Sequence, residues 1–223
     1  MIRLHDVTKY YGWGRETKLV LDGIDRELDT SSSIGILGMN GAGKSTLVNI
    51  IAGALPPTSG YVERHVRVSW PLGLKGFVGG LTGEENIRFI SRIYGADRRK
   101  VFRFVQDFSE LGDDLFRPIE TYSSGMKSRL TVGVSMAIDF DVYLMDEGLS
   151  VADRRFTKRY SDVMNQRLDR SSLIIVSHNM NTVSRYCTRA AVLHGGKLST
   201  VMPLHEAASL YNRLADRGAD FQP

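Results

Sequence analysis

Gly38-Met39-Asn40-Gly41-Ala42-Gly43-Lys44-Ser45-Thr46 satisfies the pattern G-x-x-x-x-G-K-[ST] at every fixed position. The apolar run Ile34-Gly35-Ile36-Leu37 predicts a buried strand before it. Ser45 to Ala52 predicts a helix after it, closed by Gly53. In such a loop, glycines let backbone N–H groups turn inward and surround phosphate oxygens. Gly38, Asn40, Gly41, Ala42, Gly43, Lys44, Ser45 and Thr46 are therefore the candidate nucleotide-binding residues. Lys44 would neutralise β- and γ-phosphates and Ser45 would ligate Mg²⁺, with the partial positive charge of the helix N-terminus behind them. Alone, the loop implies a nucleoside triphosphate and leaves the reaction open.

Three further groups narrow the chemistry. Val142-Tyr143-Leu144-Met145-Asp146-Glu147 reads as an apolar strand ending in two acids. Asp146 suits Mg²⁺, directly or through water, and Glu147 suits polarising a water beside a γ-phosphate; paired acids at a strand end also serve as caps for a following helix. His178 follows the apolar run Leu173 to Val176, at the strand end where α/β folds place ligands. Tyr122-Ser123-Ser124-Gly125-Met126 puts hydroxyls and a glycine at a predicted helix N-terminus, which describes either an anion site or an ordinary N-cap.

The elements that must hold these residues alternate in type. Ile2, Leu4 and Val7, then Leu19-Val20-Leu21 and Ile24, fit strand periodicity, and Pro56 to Gly60 reads as a turn. The middle of the chain is helical. Thr82 and Glu85 form a capping box ahead of Ile87, Ile90 and Tyr94, with Gly95 as the stop. Val101, Phe104, Val105 and Phe108 make an amphipathic helix expected to stop at Gly112. Leu130, Val134, Ala137 and Ile138 mark a third helix. Strand–helix alternation then resumes: Asp153 caps a helix whose apolar face is Phe156, Tyr160, Val163 and Met164. The expected architecture is one α/β domain spanning 1–223, with a core at 1–75 and 141–223 and a helical subdomain at about 76–140.

With 42% hydrophobic and 24% charged residues in 223, the chain can bury one sizeable core. A single cysteine, Cys187, excludes a disulfide framework and suits a reducing compartment. No signal-peptide pattern follows Met1. The best apolar stretch, Leu130 to Met145, is interrupted by Asp139 and Asp141 and is too short to span a bilayer. The formal net charge is +4, concentrated in Arg98-Arg99-Lys100 with Arg103 and in Arg154-Arg155 with Lys158-Arg159. Such clusters describe solvated helix faces, or attraction to an anionic membrane or acidic partner. No aromatic-rich basic stripe supports nucleic-acid binding.

Taken together and in this order, the motifs resemble the ATPase cassette of ATP-binding-cassette (ABC) transporters over essentially the whole chain. That resemblance implies a phosphate-loop NTPase core, a RecA-like mixed sheet flanked by helices, with an antiparallel β N-terminal part and an inserted α-helical subdomain. It implies ATP and Mg²⁺ as ligands, with Ser45 and Asp146 on the metal and Glu147 and His178 as catalytic residues. It also implies a head-to-tail homodimer in which Ser123, Ser124 and Gly125 contact ATP in trans. An integral membrane permease would be the second partner, met on the cytoplasmic face of the inner membrane. Ser69-Trp70-Pro71-Leu72-Gly73, Leu81-Thr82-Gly83-Glu84-Glu85-Asn86, Tyr122 to Met126 and Asp146-Glu147-Gly148-Leu149-Ser150-Val151 resemble the ATPases that export capsular polysaccharide. O-antigen and teichoic-acid exporters are close relatives; ending at Pro223 without an added carbohydrate-binding domain, the chain is expected to be of the capsule type.

Two positions depart from the family's pattern. Alignment on Gly76-Phe77 and Leu81-Thr82-Gly83 puts Val78 where the family carries a glutamine that contacts Mg²⁺ and water. The family's adenine-stacking aromatic corresponds best to Tyr11, with Tyr10 and Trp13 adjacent. Rival readings are a soluble ABC-type ATPase acting on ribosomes or DNA, and a small-molecule kinase. The first usually carries two cassettes or a long coiled-coil insertion, and the second has no use for the signature serines.

Overall fold

The structure, a computed structural model, describes residues 1–72, 77–146 and 154–217. In chain order its strands and α-helices are β1 (Ile2–Tyr11), β2 (Lys18–Leu28), β3 (Ile34–Leu37), α1 (Lys44–Ala52), β4 (Ser59–Arg64), β5 (Val68–Leu72), α2 (Gly83–Ile93), α3 (Arg98–Ser109), α4 (Ser124–Ala137), β6 (Val142–Asp146), α5 (Arg154–Leu168), β7 (Ser172–Ser177), α6 (Met180–Ser184), β8 (Arg189–His194), β9 (Lys197–Leu198), β10 (Met202–Pro203) and α7 (Leu204–Arg217). They fall into two compact units. One draws its described residues from Met1–Pro71, Asp141–Glu147 and Ser171–Pro223, the other from Leu72–Phe140 and Gly148–Arg170. Among the described residues, no helix is long and apolar enough to cross a membrane.

The first unit contains two sheets. Strands β2-β1-β4 form an antiparallel sheet, and the second sheet runs β10-β8-β3-β7-β6-β5, with β9 on β8. The central strands β8, β3, β7 and β6 are parallel neighbours. All four residues of β3 and all six of β7 are buried, as strands covered on both faces must be, so they read as continuous apolar runs instead of alternating. Pro71 lies in β5, the last strand in that order, where a residue without an N–H costs no ladder hydrogen bond. Helix α1 packs on β6 and β7. Its Leu47, Val48, Ile50 and Ile51 join Ile34, Ile36, Leu144, Ile174 and Val176 in one core; full burial of such a side chain contributes about 1.5–3 kcal/mol. Cys187 is buried as well, and desolvation pushes its thiol up to about 12, so it acts as a small apolar group at neutral pH.

Arg64 ties the antiparallel sheet of this unit to α1. From β4 its guanidinium donates to the carbonyls of Ile51 and Ile50, each at 2.7 Å. It thereby satisfies the C-terminal carbonyls of α1 and opposes the negative end of that helix dipole. Sequence reading did not find this contact.

The second unit is helical. Thr82 caps α2 in a complete capping box with Glu85, and Asp97 caps α3 through the Arg99 and Lys100 N–H groups. Bonds to the Thr82 N–H and hydroxyl hold the Glu85 carboxyl below its ordinary range. Helix α4 is buried almost all round from Leu130 to Met136; within it, Thr131 and Ser135 donate to the carbonyls four residues back, at 2.7 and 2.9 Å. One expected boundary is corrected. Helix α3 ends at Ser109, with Glu110 left-handed at φ 54°, and Gly112 instead opens a short 3-10 turn. At this left-handed residue, Arg159 donates to the Glu110 carboxylate at 2.8 Å, and Arg129 lies at 3.8 Å. The expected Asp153 cap of α5 lies outside the described residues.

Candidate functional site

The phosphate loop links β3 to α1, so its geometry follows from a buried strand delivering the chain to a helix N-terminus. Gly43, the N-cap of α1, has φ 98°, a conformation open to glycine and costly for other residues. A Cβ there would also lie 3.0 Å from the Val20 carbonyl oxygen. At Gly38 a Cβ would lie 2.8 Å from the Leu193 carbonyl oxygen. Two of the motif's fixed positions are therefore required by close backbone packing. The Gly38 N–H donates to the Ser177 carbonyl at 3.3 Å, fastening the start of the loop to the end of β7.

Lys44 is only 7% exposed. Its Nζ donates to the Gly38 and Met39 carbonyls at 3.0 and 3.1 Å. The ammonium is thus held across the loop by the loop's own carbonyls, preset where phosphate charge would arrive. Ser45 is exposed in the first turn of α1, and the Thr46 hydroxyl lies 3.4 Å from the Tyr11 hydroxyl. A cavity of about 270 Å³ opens beside the loop, lined in part by Met39, Asn40, Gly41 and Ala42.

The topology brings the distant motifs together. Strand β7 lies between β3 and β6. In register, Leu37 faces Ser177 and Asp146 faces Val176. The loop after Leu37, His178 after Ser177 and the carboxylate of Asp146 therefore emerge at the carboxyl ends of three adjacent parallel strands. By strand spacing, β3 and β6 are about 10 Å apart. Asp146 is half-buried; His178 is exposed, and its carbonyl accepts the Tyr211 hydroxyl of α7 at 3.3 Å. Ser45 and Asp146 supply hard oxygen donors of the kind Mg²⁺ takes, so the residues present fit that ion. Glu147 lies outside the described residues. Of the three candidate aromatics, Tyr10 and Tyr11 are part-covered while Trp13 is 92% exposed; only Tyr11 is hydrogen-bonded to a residue of the phosphate-loop motif.

The second unit carries the serine-glycine segment. Ser123 is the N-cap of α4, its Oγ accepting the Met126 N–H at 3.2 Å. Ser123, Ser124 and Gly125 are exposed. A Cβ at Gly125 would meet nothing nearer than the Ser123 Oγ at 3.9 Å, so no packing among the described residues calls for glycine there. Tyr122 is buried and donates its hydroxyl to the Asp114 carbonyl. That hydroxyl would lie 2.7 Å from a Cβ on Gly83, which accounts for the glycine that starts α2.

Val78 has its side chain 47% exposed and its backbone clamped. The fully buried Asn86 accepts the Val78 N–H at 2.8 Å and donates to the Val78 carbonyl at 3.1 Å. In the sequence Asn86 stands out only as part of the segment Leu81 to Asn86. Its side chain is in fact the peg around which this turn is wound, since it also donates to the Thr82 carbonyl at 2.9 Å.

A family model described as "ABC transporter" matches residues 21–150. The chain is 45% identical over 214 residues to the ATP-binding protein BexA of Haemophilus influenzae, covering 95% of this chain and 98% of that one. It is 43% identical over 216 residues to the capsule polysaccharide export ATP-binding protein CtrD of Neisseria meningitidis serogroup B, covering 96% and 100%. Among solved structures, it superposes with a TM-score of 0.75 on an ATP-binding cassette in a dimeric, post-hydrolysis state bound to ADP and Pi. That match covers 92% of this chain and 99% of the other at 23% identity, a likeness of fold. The family model, the extent of identity and the shared fold agree: this chain belongs to the ABC transporter family, as an ATP-hydrolysing cassette.

Proposed function

We propose that this chain powers export of capsular or a related cell-surface polysaccharide, working as a homodimer bound to a membrane permease on the cytoplasmic face of the inner membrane. The observation that carries its chemistry is the convergence of the phosphate loop, Asp146 and His178 at the ends of β3, β6 and β7. The cargo is supported by one relative named for capsule polysaccharide export and another, 40% identical, named for polysialic acid transport.

In this reading the backbone of Gly38 to Thr46 and the Lys44 ammonium hold the β- and γ-phosphates, and Tyr11 stacks on adenine. Ser45 and Asp146 would hold Mg²⁺, which neutralises charge on the β- and γ-oxygens. Glu147 accepts a proton from water as it attacks the γ-phosphorus, and the bond to the bridging oxygen breaks to leave ADP and inorganic phosphate. His178 donates to the γ-phosphate. Ser123, with Ser124 and the Gly125 N–H, completes the site of a second copy, so ATP acts as the glue of the dimer. Opening and closing then move a permease docked near 77–86.

Val78 sits where a glutamine would position water. Restoring it by Val78→Gln is expected to raise kcat by about tenfold, ~1.4 kcal/mol of barrier and the size of one hydrogen bond to a charged group. Because the side chain is half-exposed and Asn86 holds the backbone, the substitution leaves the core intact. Steady-state phosphate release measures it; an unchanged or slower rate refutes a role for this position in turnover.

Transport itself is tested by isolation from membranes and by deletion in the source organism. The expected result is copurification with an integral permease and polysaccharide accumulating inside deleted cells. Cosedimentation with ribosomes, or loss of teichoic acid with capsule intact, would reject the capsule assignment.

A further inference from the structure

The helical unit has a cleft of about 800 Å³ that none of the nucleotide chemistry uses. Its walls include Arg98, Arg99, Phe102, Arg103 and Phe116. The acids on its rim already serve the fold. Glu84 is ion-paired with Arg98, and Asp97 accepts the backbone N–H groups of Arg99 and Lys100 at 2.8 and 3.2 Å. Among the described residues, no carboxylate lies within ion-pair distance of Arg99 or Arg103. These two stand four residues apart on α3, hence on one face, and both are exposed. Lys100 is exposed beside them. The apolar part of the cleft is aromatic. Phe102 and Phe116 have ring centroids 6.3 Å apart at 44°, and Phe116 is 56% exposed.

We propose that this cleft seats the headgroup of an anionic phospholipid, with Arg99 and Arg103 on the phosphate and Phe116 entering the boundary of the acyl chains. Asp97 bears on Arg99 only at longer range, and two guanidinium groups outside any ion pair match phosphate oxygens in a fork geometry that lysine lacks. Large rings next to cations are the side-chain set that lies at a membrane interface, whereas a soluble anion has no use for the exposed ring. The choice of a bilayer rests on reading the chain as a peripheral membrane subunit; the binding itself requires neither ATP nor permease.

The test is flotation of the full chain, without nucleotide, on vesicles of phosphatidylglycerol and phosphatidylcholine against phosphatidylcholine alone. Binding is expected only with the anionic lipid. Each cation near an anionic surface is worth about five-fold in affinity, so Arg99→Glu/Arg103→Glu should weaken binding by roughly 25-fold or more. The charge-matched control Lys158→Glu/Arg170→Glu, at exposed positions on and just after α5, should weaken it far less. Phe116→Ala, which changes no charge, should also reduce binding, and circular dichroism checks that each variant is folded. Equal loss in both double variants would reduce the effect to net charge and overturn the cleft. Displacement by millimolar inorganic phosphate or glycerol phosphate would assign a soluble anion instead. No preference for anionic vesicles overturns the proposal while leaving ATP hydrolysis and permease copurification to stand or fall separately.

Discussion

Lys44→Ala is expected to abolish ATP hydrolysis, lowering kcat/KM by about 10²- to 10⁴-fold. A hydrogen bond to a charged group contributes about 1.5–3 kcal/mol, and in the proposed site this ammonium would face two phosphates. The lysine is buried and anchored on the Gly38 and Met39 carbonyls. Its position is therefore determined before nucleotide arrives, and little entropy is lost on binding. Alanine removes the charge and leaves two loop carbonyls without that donor. Lys44→Arg separates charge from fit. Its planar fork keeps the charge but is too wide for a site shaped around a compact ammonium, so it too should be impaired while the protein stays folded. Phosphate release and fluorescent-nucleotide titration measure both variants. Hydrolysis by Lys44→Ala within threefold of the parent would show that this loop is not the phosphate site.

Glu147→Gln should separate binding from chemistry. The amide has nearly the shape of the carboxylate and can still hold a water, but it cannot take a proton. Loss of a general base costs about 10²–10⁴ in rate. ATP affinity should be preserved, and with turnover blocked a dimer should accumulate on adding ATP, read by light scattering after size exclusion. Glu147 directly follows Asp146, whose strand β6 is fully buried up to Met145. Hydrolysis at the parental rate would remove Glu147 from the reaction. Full inactivity without dimer would separate its catalytic role from the proposed trans site of Ser123.

Some of the molecule could be read along the chain because the interactions that form it span only a few residues. The phosphate loop is built from a strand, three glycines and a helix start within one short segment. The Thr82–Glu85 capping box closes over three residues, and the Ser123 cap bonds the Met126 N–H. Apolar runs too short for helices became β3, β6 and β7. The helix end at Ser109, ahead of Gly112, was not legible: the chain turns left-handed at Glu110, a non-glycine residue whose carboxylate meets Arg129 and Arg159 from α4 and α5. Tyr122, Asn86 and Arg64 carry no local signal for the contacts they make 8 to 14 residues away.

The types of chemistry were thus determined by sequence alone: phosphate-binding amides, one lysine, paired acids, a histidine and a serine-glycine cap, each with its flanking element. That the phosphate loop, Asp146 and His178 emerge on adjacent strand ends was decided only by the tertiary structure. Strand order β3-β7-β6 differs from chain order, and the register that sets Leu37 against Ser177 and Asp146 against Val176 comes from burial of whole strands beneath α1. Parallel pairing joins segments far apart in sequence, and its hydrogen bonds are the same whichever apolar strand is the neighbour. The choice therefore falls to packing of the complete core, which no local pattern encodes.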